Sequence, residues 1–354
     1  MALVFGLLLV FAVLFDAFGT IVLPRSVRRT YRLSVVFLSA GWHLARAIGN
    51  KSTRLRNALF AGFAPAALLA LVVLWALLLI LGLALVQFGL QSPLSKADET
   101  GNFFSYLYLS GTTFLTLGYG DLTPTQGVGR VLAVGEAMTG FIFLALIIGY
   151  VPVLYGPFAR REQTMLRLDA RAGGEPTGLE LILRHRECPD LLISFLGQWE
   201  EFASALLEAY LSYPILAYYR SQHDEQSWLR SLTAVMDACA VIGVAERPPP
   251  SLKLQAHATF AMARHLLVDL AYILNAHPVG DGRLKEEGYI RLRLALADVM
   301  ILPESPEALA TIRHSYEPFV AALARDLALN EPAWVLDSHV LDNWQTSAWD
   351  GEHF

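Results

Sequence analysis

An all-α membrane protein carrying a second, soluble helical part is the fold the sequence predicts, and three observations predict it. Long uncharged apolar runs crowd into the first 160 residues. Basic residues gather between those runs and acids dominate later: residues 1–169 hold 13 basic and 7 acidic side chains, residues 170–354 hold 14 and 25. Beyond residue 177 apolar positions recur at helical spacing between proline and glycine breakers, with little strand-type alternation. The whole-chain figures of 55% hydrophobic, 17% charged and net charge −5 therefore describe neither half. That aggregate charge excludes a strongly basic nucleic-acid binder, so no nucleic-acid partner is expected. Cys188 and Cys239 are too few for a disulfide framework.

The first run, residues 1–23, carries one charge, Asp16, and is long enough to cross a hydrocarbon core of about 30 Å. No base precedes Arg25, so it reads as a retained helix rather than a cleaved signal. Residues 24–57 form a basic segment with Arg25, Arg28, Arg29, Arg32, Arg46, Lys51, Arg54 and Arg56 and no acid. The positive-inside rule puts this segment in the cytoplasm and the N-terminus outside. Within it, residues 33–48 fit either a short interfacial helix or a basic loop touching anionic headgroups, and both readings make anionic lipid a partner. Residues 57–95 lack any charge, and 64–86 read as a second span running outward. A third, from about residue 128 to 155, is interrupted by Glu136 and returns to Arg160, Arg161 and Arg167 inside. Charges within spans are costly, which makes Asp16 and Glu136 functional candidates, with a hydrated helix end an equal reading for Asp16. Pro152 removes a backbone donor and is placed to kink the third span.

Between the second and third spans an aromatic run, residues 103–115, is too short to cross and re-enters from outside. Directly after it stands Thr116-Leu117-Gly118-Tyr119-Gly120-Asp121. Backbone carbonyls that replace an ion's water shell must all point one way, which requires alternate residues at angles that glycine tolerates. The segment resembles the selectivity filter of the potassium channel family, usually T-V-G-Y-G-D, in a two-helix pore of prokaryotic type with an extra N-terminal helix and a helical cytoplasmic domain.

The resemblance implies a pore domain over residues 58–159 and potassium ions held at Thr116, Leu117, Gly118 and Tyr119, with Gly120 completing the filter. It implies that Tyr119 points away and braces the strand. Leu117 replaces the family's stiffer valine, which bears on filter rigidity and leaves a weakly selective cation channel as an alternative. Thr112 stands where several members carry a pore-helix glutamate, and Tyr108 takes a tryptophan position, so Asp121 is expected to be held by Tyr108. Glu136, one turn before Gly140, is expected to support the filter through Thr112 or Thr113. Gly140 matches the inner-helix hinge glycine, although small residues at 135, 140 and 149 also suit close helix packing. Phe141, Leu144 and Ile148 follow at helical spacing and are candidates to line the cavity. One chain supplies one filter strand and a closed ring needs four, so the implied assembly is a homotetramer in the cell membrane.

Residues 160–177 read as a linker, 178–330 as a helical cytoplasmic domain and 331–354 as a polar tail. The helical half shows no dinucleotide fingerprint, no Walker sequence and no nucleophile–base pair in a recognisable setting. An enzymatic role and a cofactor are therefore not expected, permeant potassium aside, and the domain's own ligand or protein partner is unknown. A sensory or scaffold protein with a poorly conducting pore is the alternative from a different class.

Overall fold

The computed structural model describes residues 1–22, 32–49, 52–95, 102–221, 227–280 and 282–336. Arg25, Arg28, Arg29, Lys51 and most of the expected tail, residues 337–354, lie outside the described residues. Helices dominate, and the described residues contain only isolated β-bridges, at Leu94–Pro124 and Glu246–Ile301. The chain divides into two compact units, Met1–Tyr155 and Gly156–Phe354.

The first unit contains α1 (Ala2–Ile21), α2 (Leu33–Gly49), α3 (Thr53–Gly89), α4 (Phe103–Phe114) and the first part of α5 (Gly127–Ala172). Among the described residues three helices, α1, α3 and α5, are long and apolar enough to cross a membrane. The segment at 33–49 is helical, and α3 starts at Thr53, earlier than the expected pore boundary at 58. The α1–α3 seam is tight: a Cβ at Gly6 would stand 2.6 Å from the Gly82 carbonyl oxygen, and one at Gly89 2.4 Å from the Leu3 amide. Small residues at such crossings let helix backbones touch where lipid gives no hydrophobic drive. Val13, Ala17, Leu71, Trp75, Leu79, Ile80, Phe114 and Phe143 form the core that joins α1, α3, α4 and α5.

Asp16 is not a hydrated helix end. It is 4% exposed and accepts hydrogen bonds from Trp75 Nε1 at 2.9 Å, the Ser34 amide at 3.1 Å and Ser34 Oγ at 3.1 Å. Ser34 is the second residue of α2, so a carboxylate from α1 caps the N-terminus of α2 while gripping α3. Asp16→Ala would leave the Trp75 indole and the Ser34 amide without this acceptor, at about 1–3 kcal/mol each, while the Ser34 hydroxyl keeps Thr20 Oγ1 at 3.2 Å. A markedly lower midpoint in denaturing-detergent titration is the expected result, and an unchanged midpoint would remove Asp16 from the packing account.

The second unit opens inside α5. The expected linker at 160–177 is largely helix, because residues 160–172 are strong helix formers, and the helix ends only where Gly173 takes φ 85°. Pro152 lies within that same helix. Arg161, Met165, Leu168 and Ala172 are buried at spacings of four, three and four, one face of α5 serving as a wall of the helical unit. Arg161, read from sequence as a basic flank of the membrane, is 1% exposed. It donates to Tyr210 Oη at 3.2 Å and to the carbonyls of Leu216 at 3.2 Å and Tyr219 at 2.7 Å.

The rest of the unit comprises α6 (Gly178–Arg184), α7 (Pro189–Ser212), a 3₁₀ turn at Pro214–Tyr218, α8 (Trp228–Val244), α9 (Pro250–Ile273), α10 (Glu286–Ala295), α11 (Glu307–His314) and α12 (Glu317–Leu327). Helix α8 is buried along almost its whole length, and α6, α9, α11 and α12 pack around it. Its Asp237 is held by both arms of Arg283, at 2.7 and 3.1 Å, and by the Tyr316 hydroxyl at 2.5 Å. Glu317 extends this cluster to Arg283 at 3.2 Å, Arg313 at 2.8 Å and Trp334 Nε1 at 2.8 Å. Trp334, assigned from sequence to the polar tail, is thus part of the core at 4% exposure.

Candidate functional site

The segment between α4 and α5 has the backbone that a row of aligned carbonyls requires. Thr116, Gly118 and Gly120 take φ of 58°, 54° and 76°, while Leu117 and Tyr119 between them stay out of the left-handed region. An alternation of this kind is what lets successive carbonyls face one side of a strand. Glycine adopts it freely at two of the three positions, and Thr116 adopts it although its Cβ makes that conformation costly. A Cβ at Gly118 or Gly120 would meet nothing within 4 Å, so conformation rather than space demands glycine there.

Helix α4 anchors the start of this strand. It begins at the Asn102 cap, whose side chain accepts from the Phe104 amide at 3.3 Å, and ends at Phe114. The Thr112 carbonyl then accepts both the Leu117 amide at 2.8 Å and the Gly118 amide at 3.1 Å, and the Thr113 carbonyl accepts the Thr116 amide at 3.0 Å. Behind the strand, Tyr108 donates to Asp121 Oδ2 at 2.8 Å. Beyond it, Ser95 and Thr123 pair through backbone and side chains at 2.8–3.1 Å, and Arg130 Nε donates to the Pro124 carbonyl at 3.2 Å.

Glu136 is 1% exposed and does not reach Thr112 or Thr113. It accepts a hydrogen bond from Ser110 of α4, and Gln87 Nε2 of α3 lies 3.5 Å from its other oxygen. Ser110 Oγ also lies 2.8 Å from the Ile80 carbonyl. The correction follows from helix rotation: Ser110 lies on the face of α4 turned to α3 and α5, whereas the Thr112 hydroxyl turns back on its own helix, to the Leu109 carbonyl at 3.0 Å. Sequence spacing gave Glu136 a place near the filter base but carried no information on which hydroxyl faces it.

Gly140 lies within α5, and a Cβ there would stand 2.0 Å from the Phe114 carbonyl oxygen. Close packing of α5 on the end of α4 therefore explains glycine at 140, while Gly135 and Gly149 have open space where a Cβ would go. Phe141, Leu144 and Ile148 are 67%, 55% and 65% exposed on the single chain, and Leu117 and Tyr119 are also exposed.

Residues 70–154 match the family model described as "Ion channel". This stretch of the chain is similar to the ion-channel family. Among similar proteins, LctB of Bacillus caldotenax is 42% identical over 84 residues, covering 21% of this chain and 62% of that protein. LctB of Geobacillus stearothermophilus is 39% identical over 84 residues with the same coverage. The human potassium voltage-gated channel subfamily KQT member 4 is 40% identical over 77 residues, 21% of this chain and 11% of its own length. The chain thus spans 62% of the length of the LctB proteins, and the likeness of all three is confined to about a fifth of this chain. No solved structure matches. The matched segment holds α4, the 116–121 strand, the Glu136 cluster and Gly140, whereas the helical unit from Gly156 onward lies outside it.

Proposed function

We propose that the protein is a potassium-selective channel subunit and that four copies close a ring of carbonyls from Thr116, Leu117, Gly118 and Tyr119 around dehydrated potassium ions. The observation that carries this reading is the alternation of φ at 116, 118 and 120. One strand offers oxygens from one side only, and an ion stripped of its water needs them from all sides, which makes a four-fold ring the consistent assembly. Irregular backbone at membrane depth also needs protein around it or an aqueous path beside it, and a ring supplies both. In that ring the exposed Tyr119 would brace against a neighbouring subunit, and Phe141, Leu144 and Ile148 would face the cavity below. Gly140 would act as the hinge of the inner helix through its contact with α4. Conduction would be passive, with no cofactor and no catalytic step. Anionic lipid would meet the basic segment around α2, and the N-terminus would face outward with the helical unit in the cytoplasm, gating or assembling the pore.

Asp121, Tyr108 and Thr112 would hold the filter from the outer side and Glu136 from the inner side, through Ser110. Glu136→Gln keeps the size of the side chain but replaces one carboxylate oxygen with a donor, so Ser110 and Gln87 can no longer both donate to it. Hydrogen bonds to charged groups contribute about 1.5–3 kcal/mol. Single-channel recordings are expected to show an open time about tenfold shorter or a clear loss of potassium preference. Unchanged open times and selectivity would sink the filter-support role. The reading itself is tested with purified protein in liposomes. Potassium efflux by a species whose native mass equals four chains supports it, and a dimer or monomer that conducts equally would refute the ring.

A further inference from the structure

The helical unit grips α5 at two polar points, and they differ in chemistry. The first is Arg161, whose guanidinium is met by two backbone carbonyls, the Tyr210 hydroxyl and the Glu162 carboxylate at 3.0 Å. Burial pushes the Tyr210 hydroxyl above its ordinary value, so it keeps its proton.

The second point lies on the last turn of α5. Arg171 Nη1 is 3.3 Å from Nε2 of His185, and its guanidinium carbon lies 4.8 Å from the centre of the Phe195 ring. His185 is 7% exposed, stacks on the same Phe195 ring at 17° and 6.1 Å, and has Nδ1 2.8 Å from the Leu181 carbonyl. A carbonyl only accepts, so Nδ1 carries the proton; a guanidinium only donates, so Nε2 must present its lone pair. The contact therefore exists only with neutral imidazole. A second proton, on Nε2, would set donor against donor and cation against cation at 3.3 Å.

The other charges around this point are held elsewhere. On α6, Glu180 pairs with Arg184 at 3.4 Å, and just past it Arg186 and Glu187 lie 4.0 Å apart at the surface. From α7 the group against His185 is the uncharged Phe195 ring, and from α8 Arg230 and Asp237 are held by Glu175 and Arg283. Asp169 is the remaining buried charge on this stretch of α5.

We propose that His185 is a proton-operated hold on the end of the inner helix α5: neutral, it fastens Arg171 to the helical unit, and protonated, it releases the last turn of α5 and changes channel opening. The second half of this statement rests on the channel reading above; the first does not. Burial, and then Arg171, lower the affinity of His185 for a proton below that of an ordinary imidazole, while the Leu181 carbonyl acts in the opposite sense. A lowered folded value means that the hold is complete above the ordinary histidine value of 6.5 and is lost as pH falls from there through the folded value.

The test uses the full chain in liposomes, wild type and His185→Gln, whose side-chain oxygen still accepts from Arg171 but does not titrate. Hydrogen exchange of the segment 165–173, corrected for the intrinsic pH dependence, is compared at about pH 7.5 and about pH 5.5, with potassium flux measured alongside. The wild type is expected to lose about tenfold in protection on acidification, with flux changing about threefold, and His185→Gln to show neither. An undiminished acid response in His185→Gln overturns the proposal. Absence of flux in both proteins at both pH values would count against the channel reading alone, because the exchange comparison still decides whether His185 is the hold. Should His185→Gln fail to fold, Arg171→Gln serves instead: low protection already at the higher pH, unchanged by acid, is expected, and wild-type behaviour overturns the proposal.

Discussion

Gly118→Ala is expected to abolish potassium flux while leaving the chain folded. The residue sits at φ 54° in the middle of the alternating strand, with nothing near enough to clash with a new methyl group. The penalty is therefore conformational, about 1–2 kcal/mol for a Cβ in the left-handed region, and a four-fold ring incurs it four times, for a total of about 4–8 kcal/mol. The strand escapes by rotating the 118 peptide, which withdraws a carbonyl from the ring in every subunit. Liposome flux should fall roughly a hundredfold or more, with circular dichroism and native mass unchanged. Flux above half that of wild type would show that the alternation is not what conducts.

The largest loss of stability is expected from Asp237→Ala. Asp237 is 1% exposed on the central helix α8 and faces both arms of Arg283 and the Tyr316 hydroxyl. Removing the carboxylate strands a buried guanidinium, whose nearest remaining acid, Glu317, is already shared with Arg313 and Trp334. Breaking such a pair from one side costs about 3–5 kcal/mol, far more than the pair contributes net. Tryptophan fluorescence of the full chain in urea should report it, because Trp334 lies over Arg283 and Arg313 at 5.4 and 5.6 Å. A shift of the helical unit's transition by less than about 1 kcal/mol would mean that water takes the place of the carboxylate.

The sequence made some of this legible because the physics is local. A span declares itself by twenty apolar residues in a row, and the filter strand by Gly118 and Gly120 at alternate positions, since glycine takes positive φ without the penalty of a Cβ. The Tyr108–Asp121 bond, thirteen residues apart, was also within reach of a single motif. Asp16 was not. Its donors come from positions 34 and 75, and only the crossing of α1, α2 and α3 reveals that a charge in a span has become a helix cap. Glu136 was half legible: its burial near the pore helix follows from periodicity, but its partner Ser110 depends on how two helices are rotated against each other. Arg161 was misread for a related reason. A base after a membrane span looks like a topological flank until the helix continues to Ala172 and carries that base into a core of carbonyls.

The central claim is that the strand from Thr116 to Gly120 conducts potassium in preference to sodium, and the reversal potential of purified protein in planar bilayers tests it most directly. With potassium on one side and sodium on the other, the current should reverse far from zero, toward the potassium equilibrium potential. Reversal near zero would place the protein among weakly selective cation channels, as the Leu117 substitution allows, and no current under any condition would contradict the channel reading itself.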